Sequence, residues 1–75
     1  SIKLKVQQIV KSMDEGMNIH DFRMVDGANN INLIFDIEVP AGYKELDTLK
    51  QRVDDELKKV DSRFNGVINI DIIYI

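Results

Sequence analysis

His20 is the only histidine among 75 residues, and it stands alongside two carboxylates, Asp36 and Asp71, that fall inside strand-like runs. An imidazole and carboxylate oxygens together make a ligand set for a divalent cation. A lone histidine at a strand start otherwise serves as a surface or capping group. Cysteine is absent, so thiolate metal sites and disulfides are excluded, a composition compatible with a cytosolic setting. One histidine, no cysteine and no nucleophile-triad or phosphate-loop spacing argue against an enzyme.

The elements that must position these groups follow from periodicity. Ile2, Val6, Ile9, Val10 and Met13 recur at helical spacing, with Gly16 where a helix C-terminus favours a residue tolerant of positive φ. A short mixed run over residues 19–25 precedes the turn chemistry of Asp26, Gly27, Ala28, Asn29 and Asn30. Ile31, Leu33, Phe35, Ile37 and Val39 then alternate with Asn32, Ile34, Asp36 and Glu38 up to Pro40, a half-buried strand paired as a hairpin with its predecessor. Leu46, Leu49, Val53, Leu57, Val60 and Phe64 form an apolar stripe, predicting a second helix over residues 44–63 closed by Asn65 and Gly66. An isoleucine-rich strand over residues 67–75 ends the chain.

The order α-β-β-α-β predicts an α+β two-layer sandwich of one domain, residues 1–75. The strand–helix–strand connection is a right-handed crossover, so the Asp36 and Asp71 strands should be parallel and adjacent, with the first hairpin strand antiparallel on the other edge. Each helix has one apolar stripe, so both must cover the same sheet face, against Leu33, Phe35, Ile37, Ile68 and Ile70. Alternation leaves Asn32, Ile34, Asp36, Glu38, Asn69, Asp71, Ile73 and Ile75 on the other face. Strict alternation puts His20 on the core side with Phe22 and Met24. It reaches the acidic face only if the strand begins after it or is bulged there.

That second face mixes large apolar and acidic groups. Ile34 and Ile73 predict a contact surface, most simply a homodimer, with Arg23 either pairing with Asp21 or bridging to a carboxylate of the second subunit. Asp36 and Asp71 on neighbouring strands about 5 Å apart would repel by about 1 to 3 kcal/mol, which a proton, Arg23 or a divalent cation would relieve. Carboxylates on an open strand face also simply keep it soluble.

Charge narrows the partners. Residues 44–63 carry six acids and six bases, which cancel, whereas the remainder has seven acids against four bases. Acid concentrates between Asp14 and Glu38, the wrong sign for nucleic acid, and the open face lacks the aromatic and basic groups an RNA platform needs. No run approaches the roughly 18 apolar residues of a membrane span, no signal-peptide pattern is present, and the chain opens without Met. The expectation is a soluble piece of a longer protein.

With Ile19-His20-Asp21-Phe22-Arg23, Gly27, the acidic second strand and Val67-Ile68-Asn69-Ile70-Asp71 in view, the chain resembles the C-terminal cytosolic domain of the cation diffusion facilitator (cation efflux) family. The first of these stretches is similar to the family's hydrophobic-His-Asp-Leu-Arg signature followed by Gly. The resemblance implies a metallochaperone-like domain that dimerises at the cytoplasmic side of the cell membrane, below the transporting helices of a proton-coupled divalent-cation exporter. It implies His20, Asp36 and Asp71 as metal ligands near the subunit interface. The chain departs from zinc-exporting relatives in having no histidine in its second helix and Ile73 where another ligand often stands. One imidazole and two carboxylates make a harder, weaker site, so manganese, cobalt and iron join zinc as options. The alternative is a small α/β domain sensing an amino acid or similar ligand at a dimer edge, through backbone groups near Gly27.

Overall fold

The computed structural model describes residues 1–74, and its elements run α1 (Ile2–Met13), β1 (Asn18–Asp26), β2 (Ile31–Pro40), α2 (Leu46–Val60) and β3 (Phe64–Ile73). Ser1 caps α1: its hydroxyl oxygen accepts the Leu4 N–H at 3.1 Å, satisfying one of the donors a helix start leaves open. Gly16 is not in the left-handed region; α1 ends instead at an extended Asp14, whose carboxylate accepts the Gly16 N–H. The β1–β2 turn closes where the Gly27 N–H donates to the Asn30 carbonyl at 2.7 Å.

The sheet has order β1-β2-β3, antiparallel between β1 and β2 and parallel between β2 and β3. This is the mixed sheet expected from a hairpin followed by a crossover. Leu33, Phe35, Ile37 and Val39 of β2 are fully buried against Val6 and Val10 of α1 and Leu49, Val53 and Leu57 of α2. Phe22 stacks on Phe35 with centroids 6.3 Å apart. Both helices thus cover one face, and β2 supplies the centre of the core.

Two boundaries differ from expectation. α2 is shorter than residues 44–63, and Phe64 belongs to β3, not to the helical stripe; Asn65 and Gly66 lie inside the strand. The cause is the extended backbone at Asp61, whose carboxylate accepts the Arg63 N–H and holds the Arg63 guanidinium at 2.8 Å. Gly66 lets α2 pack closely on β3: a Cβ there would sit 3.1 Å from both Asp54 Oδ1 and Leu57 Cδ1, a tight contact. At the other end of α2, Arg52 donates to the Glu45 carbonyl at 2.7 Å and the Tyr43 hydroxyl at 3.1 Å, tying down the β2–α2 loop. Val60 and Met24, expected in the core, are 46% and 48% exposed, at the margins of the helical layer.

Candidate functional site on the open sheet face

β1 would carry His20 into the core if it ran without interruption. It does not. The register jumps between His20, opposite Asp36, and Arg23, opposite Ile34, so Asp21 and Phe22 together face Phe35. Asp21 adopts φ 55°, a left-handed conformation that aspartate tolerates better than most residues. This bulge keeps Ile19 and Phe22 on the core side and turns His20 and Arg23 to the uncovered face. Expectation and structure part here for a local backbone reason that alternation alone does not reveal.

On that face His20 Nε2 lies 2.8 Å from Glu38 Oε1. Glu38 was not among the residues singled out as ligands, yet it is the partner that orients the imidazole. A carboxylate on one ring nitrogen is the arrangement that leaves the other nitrogen directed for a metal. Asp36 lies beside it, half-buried, and its pKa is raised: partial burial contributes most, followed by a carboxyl–carboxyl hydrogen bond with Asp21 and the charges of Asp71 and Asp21, against a lowering hydrogen bond from Asn69. Asp21, Phe22, Arg23, Ile34 and Asp36 line a shallow hollow of about 540 Å³.

The β2–β3 register corrects one expectation. Asp71 stands opposite Glu38, and Asn69 opposite Asp36, so the two candidate carboxylates are diagonal neighbours, not a directly facing pair. The Asn69 amide donates toward Asp71 at 3.4 Å. Among the described residues no three His, Asp or Glu side chains gather so as to hold a metal ion within one chain, and Asp21 forms no ion pair with Arg23. Ile34 and Ile73 are half-buried on the same face, while Ile75 lies outside the described residues.

Near Gly27 a hollow of about 260 Å³ is lined by Asp26, Gly27, Ala28, Asn29, Asn30, Ile31 and Arg63. Arg63 in its lining is held at 2.8 Å by Asp61. Among the described residues no helix is long and apolar enough to cross a membrane. Compared with family models, with curated proteins and with solved structures, the chain has no match, so the family resemblance rests on its own residues.

Proposed function

We propose that this chain is the cytosolic dimerisation and divalent-metal-sensing domain of a proton-coupled divalent-cation efflux transporter, with no catalytic role of its own. The observation that supports it most is the bulge at Asp21, which brings His20 onto the open face with Asp36, Glu38 and Asp71. The residues fit a hard or borderline cation: one imidazole nitrogen beyond the one engaged by Glu38, and carboxylate oxygens on two neighbouring strands. Because the described residues of one chain do not assemble three ligands, the set is completed by a second copy or by a small turn of these side chains. His20, Asp36 and Asp71 are the ligands in this reading, and Arg23, Ile34 and Ile73 border the contact.

Metal then acts by linkage. An ion that binds the closed dimer more tightly than the open one shifts the population by its differential affinity and no more. Calorimetric titration with zinc, manganese and cobalt is expected to give binding that tightens the dimer and reduces its scattering radius. Asp36→Ala should abolish that change while keeping the native far-UV spectrum. Identical metal responses in Asp36→Ala and the native chain would remove Asp36 from the site.

A further inference from the structure

The two edges of the sheet are built differently. β1 is broken by its bulge, with Asp21 in a left-handed conformation and Arg23 and Asp26 close by, features that keep an edge from pairing with another strand. β3 has neither a bulge nor a left-handed residue, and Asp71 is its single charge. Its ladder to β2 runs without a register shift from Phe64 to Ile73, and it contains no proline, lysine or arginine. Among the described residues no strand pairs with its outer side.

The direction of the free backbone groups can be read from the two ends of the ladder. The Ile31 N–H donates to the Arg63 carbonyl and the Ala41 N–H donates to the Ile73 carbonyl, so odd-numbered residues of β3 face β2. By alternation Gly66, Ile68, Ile70 and Ile72 turn their amides and carbonyls outward. Gly66 is already satisfied, its N–H donating to Asp54 Oδ1 at 2.7 Å. Ile68, Ile70 and Ile72 therefore present the open donors and acceptors, and their side chains, on the core face, stay only half-buried where the helical layer ends.

We propose that β3 pairs antiparallel with β3 of a second copy of this chain, across a two-fold axis at Ile70, making one continuous six-stranded sheet. That register places Ile70 against itself and Ile68 against Ile72 as hydrogen-bonded pairs, which covers the half-buried isoleucines of both copies. On the open face it sets Val67 against Ile73 and Asn69 against Asp71, apolar on apolar and amide on carboxylate. Neighbouring registers are worse. An axis at Asp71 opposes two like charges, and an axis at Asn69 sets Val67 against Asp71 and needs the Gly66 amide that Asp54 holds. The pairing is independent of the metal reading and requires no ion.

Sedimentation of the chain in chelating buffer tests this, beside a synthetic chain N-methylated at Ile70, in which a methyl group replaces one outward N–H. A dimer is expected for the native chain, with association at least about tenfold weaker after N-methylation, a loss of about 1.4 kcal/mol. The chain has no native cysteine, so Ile70→Cys supplies a unique thiol. Its partner Cα would lie about 5.5 Å away in a hydrogen-bonded pair, inside the disulfide range. In the chelating buffer the Ile70→Cys variant is expected to oxidise to a disulfide dimer and Ile34→Cys, on the open face whose contact is drawn together by metal, is not; this cross-link decides the matter if the N-methylated chain does not fold. A native chain that stays monomeric up to about 1 mM, a dimer unaffected by N-methylation, or cross-linking through Ile34→Cys in place of Ile70→Cys overturns the edge pairing. Those results leave the metal titration of Asp36→Ala untouched, so the two readings fail separately.

Discussion

Ionisation of Asp36 is opposed in the folded chain by partial burial, by the Asp21 carboxyl and by the charge of Asp71. A carboxyl whose folded pKa lies above its unfolded value contributes stability fully below that unfolded value, 3.8, and loses it as pH rises through the folded one. At neutral pH without metal, Asp36→Asn is therefore expected to melt at a higher temperature than the native chain, with the gap closing below about pH 3.8. Asp61 behaves oppositely: its hydrogen bonds with the Arg63 side chain and N–H lower its pKa to about 2. Its contribution is present above 3.8 and disappears as pH falls through about 2, so Asp61→Asn should destabilise at neutral pH and converge with the native chain in strong acid. Thermal melts of both variants from pH 2 to 7 check the two signs at once. Equal melting of Asp36→Asn and the native chain at pH 7 would show that the crowding around Asp36 has no energetic weight. The same crowding is what a divalent cation would relieve.

At the level of elements, β2 was legible because five apolar residues alternate with polar ones, and both helices because their apolar residues recur at three and four. The strand order and the parallel pairing followed from the crossover rule. What escaped the sequence is local backbone conformation: a single aspartate at φ 55° reverses which face His20 occupies, and nothing in Ile19-His20-Asp21-Phe22 distinguishes that bulge from plain alternation. Met24 illustrates a second limit, since its face is the core face but no helix reaches that end of β1. The register of β2 on β3, which pairs Glu38 with Asp71, depends on where β3 starts, and Phe64 fits a helical stripe as well as a strand. The bulge itself is testable. Glycine accepts positive φ without steric cost, so Asp21→Gly should stabilise the fold by up to about 1 kcal/mol, helped by removal of a carboxyl beside Asp36, and should leave His20 paired with Glu38. A nuclear Overhauser contact between the His20 ring and Glu38 that vanishes in Asp21→Gly would mean that the bulge needs the aspartate side chain.

For the molecule as a whole, size decides how much depends on association. A chain this short buries only about 60% of the surface it exposes when unfolded, and its fully buried core is centred on β2, leaving the isoleucines of β3 half-covered. Association through β3 would complete that cover and stabilise the native state by mass action, as would a metal bound only to the folded form. For a dimer of this length, a tenfold rise in protein concentration should raise the melting temperature by about 4 °C in chelating buffer. A cation at about 100 times its dissociation constant adds about 2.7 kcal/mol per site. The two dependences should separate by variant. N-methylation at Ile70 is expected to flatten the concentration dependence while keeping a metal response, and Asp36→Ala to flatten the metal response while keeping the concentration dependence. A native melting temperature that ignores concentration rules out the edge pairing. If either variant abolishes both dependences, edge and open face form one coupled interface, with the carboxylates of two copies meeting around Asp71.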